Sequence, residues 1–113
     1  MQDNTVEIEI RGTSVVVKVL SHEVDMYNVP EMRAQMADIL DEKPAKVIID
    51  FSQTGHLDSS ALGLLFRTKQ QIDGYGGKMI LTGIRESLEM LIQVTRSDKV
   101  FAFASSVEEA LAD

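Results

Sequence analysis

Asp58, Ser59 and Ser60 stand side by side in this chain, and their oxygens are suited to two kinds of chemistry. They precede a segment with the apolar spacing of a helix, where Asp and Ser side chains accept hydrogen bonds from unpaired backbone amides. One capping residue is enough for one helix, yet three candidates occur in a row. A surplus serine at an exposed helix start can accept a phosphate, which would face free amides and the positive end of the helix dipole. Such a phosphate should change the surface and leave the helix folded.

A hydrolase is the first alternative for these serines. It would need Ser59 or Ser60 to be activated by His22 or His56. The chain contains no Gly-x-Ser-x-Gly elbow, and a histidine close to a serine in sequence does not make a catalytic triad. We therefore predict that the protein is not an enzyme and has no catalytic residue.

A metal site is the second alternative, because His22, His56, Asp25 and Asp58 are metal-ligating residue types. Their spacing does not match a metal motif, and exposed loop histidines explain the same residues. The chain also lacks the Gly-x-x-x-x-Gly-Lys-Ser/Thr loop that cradles nucleotide phosphates. We predict no metal and no cofactor.

Composition and charge limit the classes of partner that this chain is expected to bind. The 113 residues suggest one domain, residues 1–113, with a formal net charge of -7 and no cysteine. No basic cluster favours a nucleic acid, and no apolar run approaches the roughly 18 residues of a membrane helix. The N-terminus lacks a basic region followed by an apolar run, so we expect no signal peptide and a cytoplasmic protein without a nucleic-acid or membrane partner.

Strand and helix patterns alternate along the chain. Residues 6–11 and 15–20 predict a hairpin, and Asn28-Val29-Pro30-Glu31 predicts a capped helix start. The remaining predicted elements are strands at 46–51, 78–82 and 100–103, and helices from 58–60 to about 75, at 86–94 and at 106–111. This order predicts an α/β fold, with a single-layer mixed β-sheet of 4–5 strands packed with 4–5 α-helices. The sheet should be mostly parallel, with one antiparallel edge strand from the hairpin.

Two loops should follow carboxyl ends of strands, where α/β sheets bind ligands and partners. One is residues 22–27, and the other is residues 56–60. Met26 and Tyr27 lie in the first loop, so we expect them to be exposed and to offer an adaptable apolar contact surface. Met32 is expected in the core, together with Met36 on the same helical face. Phe66 is a core candidate in the helix that begins at 58–60.

The segment Asp58-Ser59-Ser60-Ala61-Leu62-Gly63, which follows an apolar strand, resembles the phosphorylation motif of the sulfate transporter and anti-sigma antagonist (STAS) domain family. The likeness extends over nearly the whole chain and is greatest to bacterial anti-sigma factor antagonists. Two residues depart from the family pattern, which usually has glycine where His22 and Ala61 stand. The histidine is expected to reshape the loop beside the serines.

The resemblance implies a partner-switching cycle. The unphosphorylated antagonist binds an anti-sigma factor, a serine kinase of the histidine-kinase-like ATPase fold, and thereby frees a sigma factor for transcription. The kinase phosphorylates Ser59, the complex dissociates, and a metal-dependent serine phosphatase restores the antagonist. A STAS scaffold subunit of a larger signalling assembly, with no downstream sigma factor, is the alternative. The expected partner-binding residues are Asp25, Met26, Tyr27, His56, Asp58, Ser59 and Ser60.

Overall fold

A computed structural model describes residues 4–113. The prediction that the chain has no signal peptide concerns an N-terminal segment that lies partly outside this range. The strands are β1 (Val6–Arg11), β2 (Ser14–Val19), β3 (Glu23–Val24), β4 (Lys46–Asp50), β5 (His56–Leu57), β6 (Lys78–Thr82) and β7 (Ala102–Phe103). The helices are α1 (Val29–Asp41), α2 (Ser59–Gly74), α3 (Glu86–Val94) and α4 (Val107–Ala112), with a 3₁₀ turn at Ser97–Lys99. None of these helices combines the length and apolar composition that crossing a membrane requires.

Five strands form the main sheet in the order β1-β2-β4-β6-β7. β1 pairs with β2 in antiparallel register, and every other neighbour in this sheet is parallel. The predicted α/β fold with a mixed sheet and one antiparallel edge strand is therefore confirmed. In this arrangement β2, β4 and β6 all end at the same edge of the sheet.

The central strand β4 is buried on both faces, as its continuous apolar run predicts. Ile49 belongs to the larger core, together with buried residues of α1 and α2 such as Met36 and Leu65. Ile48 belongs to a smaller cluster on the opposite face, where Ala110 of α4 packs. Helices thus cover both faces of β4, and the loop that follows it is held at a fixed edge of the core.

A second, two-stranded sheet is the main difference from the predicted fold. β3 and β5 pair in parallel, with Glu23 opposite His56 and Val24 opposite Leu57. Val24 and Leu57 are buried, while Glu23 and His56 are exposed. The sequence predicted loops here because a two-residue strand is too short to display an alternating pattern. The ladder joins the segments that lead into α1 and α2.

Three smaller predictions are also corrected. The last strand covers only two residues, because Ser97–Lys99 forms a 3₁₀ turn before it. Phe66 was expected in the core but is 36% exposed, and its ring lies 5.0 Å from that of Phe101. Asn28 precedes α1 without capping it through its side chain. These residues took other positions because tertiary contacts outweigh local preferences.

Candidate functional site

Asp58 connects the two predicted loops through both oxygens of its carboxylate. It is the N-cap of α2, where Oδ1 accepts hydrogen bonds from the Ala61 amide at 3.0 Å and from the Ser60 hydroxyl at 2.6 Å. Oδ2 accepts a hydrogen bond from the Met26 amide at 3.0 Å. A single side chain therefore caps α2 and fixes the loop before α1 against it.

Ser59 is the first residue of α2 and is exposed. The hydrogen bonds of the cap engage Asp58 and Ser60 and do not involve the Ser59 hydroxyl. Of the three candidate capping residues, one makes the cap, one supports it, and Ser59 is left facing solvent. The sequence predicted a surplus hydroxyl at this helix start, and the structure places it outside the core.

The carboxylate of Asp58 is held in its charged form. The hydrogen bond from the Ser60 hydroxyl is the largest influence that lowers its pKa below the ordinary value of 3.8, with further help from nearby backbone amides. Partial desolvation acts in the opposite direction and does not overcome these bonds. A fixed negative charge therefore lies beside Ser59 at neutral pH.

Asp25 shapes the other loop and presents two apolar side chains at its tip. Its Oδ1 accepts a hydrogen bond from the Tyr27 amide at 3.0 Å, an Asx turn, and its own amide donates to Asn28 Oδ1 at 2.9 Å. Asn28 also donates to the Glu23 carbonyl at 2.8 Å, which explains why it does not cap α1. Met26 is 65% exposed and Tyr27 is 87% exposed, as predicted.

The two histidines lie near one another on neighbouring segments. His56 on β5 is exposed, and the His22 carbonyl accepts hydrogen bonds from the amides of Gly55 and His56 at 2.8 and 3.2 Å. The His22 ring covers Gly55, where an added Cβ would lie 2.6 Å from Nε2. The histidine that departs from the family pattern therefore packs over a glycine. Within residues 4–113, no group of three His, Cys, Asp or Glu side chains is arranged to hold a metal.

An apolar groove that the sequence interpretation did not include runs between β5 and α3. Its volume is about 350 Å³, and its lining includes Leu57, Leu91, Met90 and Val94. Met90 and Val94 are 73% and 75% exposed, although apolar residues four apart on a helix usually face a core. The signal in the sequence was that α3 carries apolar residues on more than one face. The groove extends the apolar surface beside His56.

Together, the two loops form one continuous edge of the molecule. The Asp58–Met26 hydrogen bond and the β3–β5 ladder bring together all seven residues that the sequence predicted for partner binding. We call this set the docking edge: Asp25, Met26, Tyr27, His56, Asp58, Ser59 and Ser60. It combines an open hydroxyl, fixed negative charge and exposed apolar side chains.

Comparisons with known proteins agree with this fold. The family model of the STAS domain matches residues 5–110. An anti-sigma factor antagonist from Mycobacterium paratuberculosis is similar, with a TM-score of 0.85, 25% identity and coverage of 96% of this chain and 91% of that one. A STAS domain protein from Planctomyces limnophilus has a TM-score of 0.85 and 22% identity, covering 95% of each chain. The Bacillus cell fate determinant SpoIIAA in its phosphorylated form has a TM-score of 0.72 and 21% identity, covering 95% of this chain and 96% of that one. With its fold shared by these proteins and its sequence matched over residues 5–110, the chain belongs to the STAS domain family.

Proposed function

We propose that this protein is a cytoplasmic anti-sigma factor antagonist that acts by partner switching. Its unphosphorylated form binds an anti-sigma factor serine kinase of the histidine-kinase-like ATPase fold at the docking edge, and this binding frees a sigma factor. Phosphorylation of Ser59 dissociates the complex, and a metal-dependent serine phosphatase restores the unphosphorylated protein. The protein itself carries out no catalysis.

The exposed hydroxyl of Ser59 is the observation that carries this proposal. It starts α2 and is not part of the cap, so a kinase can reach it without opening the fold. Met26 and Tyr27 provide apolar surface on the adjoining loop for a partner to cover. The similar proteins lend support, since one is an anti-sigma factor antagonist and another was solved in a phosphorylated form.

Charge explains how a phosphate at Ser59 would release a partner. A phosphoserine carries about -1.5 to -2 charges near neutral pH. At about 6 Å and an effective dielectric constant near 20, each unit pair of charges interacts by about 3 kcal/mol before salt screening. A change of about 2.7 kcal/mol alters an affinity about 100-fold. The phosphate would add to the charge of Asp58 on a chain whose net charge is already -7.

Phosphorylation followed by mass spectrometry tests the proposal. Candidate serine kinases and ATP are incubated with the protein and with Ser59→Ala, and the phosphate is located by peptide sequencing. We expect one phosphate, on Ser59, and none on the variant. The Ser59→Ala variant should still bind the kinase, because the hydroxyl takes no part in the cap.

A phosphate on Ser60, Ser105 or Ser106 would contradict the proposal. So would a pull-down that returns a large sensor assembly without a kinase. That second result would instead indicate a STAS scaffold subunit that has no sigma factor downstream.

A further inference from the structure

The guanidinium of Arg67 lies over Gly63, one turn nearer to the start of α2 than its own Cα. A Cβ added to Gly63 would be 3.4 Å from Arg67 Nη1 and 4.0 Å from Nη2. Long helical side chains lean toward the N-terminus and cover the preceding turn, which accounts for the direction. Because Gly63 has no side chain, the guanidinium occupies the space above it.

Arg67 has no protein partner in this position. It is exposed, and over residues 4–113 its guanidinium makes no hydrogen bond or salt bridge. Lys69 on the same helix differs, since its Nζ pairs with Asp73 at 2.5 Å. All five N–H donors of Arg67 are therefore open to an incoming acceptor.

Ser59, Gly63 and Arg67 follow one another at four-residue intervals along α2. Each interval advances about 6 Å along the helix axis and turns by about 40°, so successive residues are neighbours on the helix surface. The guanidinium over Gly63 is thus one turn from Ser59 on the same side of the helix. A phosphate on Ser59 would place three acceptor oxygens beyond the hydroxyl position.

We propose that Arg67, from its position over Gly63, binds the phosphate of phosphorylated Ser59 within the same chain. The ligand is a phosphate monoester, which guanidinium groups recognise through paired, charge-assisted hydrogen bonds. The contact holds the phosphate along α2 and offsets part of its charge. This inference rests on the proposed phosphorylation of Ser59, and it assigns a residue outside the docking edge to the switched-off form.

The test places phosphoserine at position 59 during translation with an expanded genetic code, so that no kinase is needed. The second pKa of the phosphate is then measured by ³¹P NMR titration. A nearby cation stabilises the dianion and lowers this pKa, so Arg67→Gln should raise it by about half a unit. Asp25, Asp58 and His56 are present in every variant, and the difference therefore isolates the guanidinium.

Two further variants check the geometry. Arg11→Gln removes an arginine at the end of β1, beside the residues at which β2 and β4 begin. The loop that leads to Ser59 leaves the opposite edge of the sheet, so this variant should leave the phosphate pKa unchanged. Gly63→Leu keeps Arg67 but fills the space beneath it, and should raise the pKa about as much as Arg67→Gln. Apart from the chain neighbours and the backbone of α2 itself, only Arg67 atoms lie within 4 Å of a Cβ added at Gly63, so the first atom of the new side chain meets no other part of the fold.

Equal phosphate pKa values in the phosphorylated parent protein and in phosphorylated Arg67→Gln would overturn the inference. If, in addition, Arg67→Gln weakened kinase binding by the unphosphorylated protein, Arg67 would be a residue that contacts the partner and not the phosphate. Failure of every kinase to modify Ser59 would count against the proposed function alone, because the phosphate in this experiment is installed without a kinase.

Discussion

Two helices of this protein begin beside a pair of serines, and the pairs are used differently. At the start of α4, both serines are engaged. Ser106 Oγ accepts a hydrogen bond from the Glu109 amide at 3.0 Å, while Ser105 Oγ donates to Glu109 Oε2 at 2.8 Å. The Ser105 hydrogen bonds also lower the pKa of Glu109 below its ordinary value of 4.5. No hydroxyl is left over at this helix.

At the start of α2, an aspartate takes the role that Ser106 has at α4. Asp58 caps the helix and Ser60 donates to it, so the hydroxyl of Ser59 is not needed. The difference teaches that residue type does not distinguish a structural serine from an available one. What distinguishes them is whether another oxygen has already satisfied the helix amides.

The largest effect should come from charge placed on each serine pair. Phosphorylation of Ser59 is expected to weaken kinase binding about 100-fold, and Ser59→Asp about tenfold or more, by repulsion at the docking edge. Ser106→Asp should change the affinity less than about twofold, because Asp also caps a helix and position 106 lies outside the docking edge. Isothermal titration calorimetry measures all three. Equal affinities of Ser59→Ala and Ser59→Asp would remove the functional contrast between the pairs.

The caps themselves should differ in their contribution to stability. Asp58→Ala is expected to lower the free energy of unfolding by about 2 kcal/mol, because it removes a cap and a hydrogen bond to Met26. Ser106→Ala removes only a cap and should cost about 1 kcal/mol. Urea denaturation followed by circular dichroism gives both values. Asp58→Ser keeps a capping oxygen, so a loss as large as that of Asp58→Ala would mean that the Met26 contact dominates.

Within the α2 pair, one hydroxyl should matter to folding and the other should not. Ser60→Ala removes the 2.6 Å hydrogen bond to Asp58 and is expected to destabilise the protein by about 1 kcal/mol. Ser59→Ala should stay within about 0.5 kcal/mol of the unmodified protein. The same denaturation experiment compares them. A larger cost for Ser59→Ala than for Ser60→Ala would show that the hydrogen bond to the capping carboxylate of Asp58 had been assigned to the wrong serine.

The smallest expected effect is on acid stability. Because the pKa of Asp58 is lowered in the folded state, the stability that its ionised carboxylate contributes is complete above the unfolded pKa near 3.8. This stability is lost as the pH falls through the folded-state pKa. Ser60→Ala should raise the pKa of Asp58 and move this loss to higher pH. Carboxyl carbon shifts in an NMR titration follow the group directly. Ser59→Ala is the control, and an equal shift in that variant would contradict the assignment.

Much of the fold could be predicted from the sequence, because buried strands and amphipathic helices have repeating patterns. The continuous apolar run at 46–51 indicated a doubly covered strand, and Met32 and Met36 indicated the inner face of α1. The β3–β5 ladder could not be predicted, since two residues carry no period. Phe66 was misplaced because the helical pattern does not reveal that its ring reaches Phe101 at a half-open surface.

The residues that lie together at the docking edge could be named from the sequence, but the contacts among them could not. Asp58, Ser59 and Ser60 were recognised as more capping residues than one helix uses. Which of them caps α2 depends on the direction of the Asp58 side chain and on the amide of Met26, which is distant in sequence. Met90 and Val94 went unnoticed because exposure of a helical face depends on what packs against it.

The β3–β5 ladder has a consequence for speed. Because it pairs the two loop segments within the free protein, a partner that binds them as proposed would not have to order them, and that entropy cost would be absent from the association step. Rigid surfaces of this kind form complexes without a slow rearrangement. In the proposed partner-switching cycle, the rate of partner exchange would then depend on diffusion and on the phosphorylation and dephosphorylation of Ser59. No refolding step would be needed.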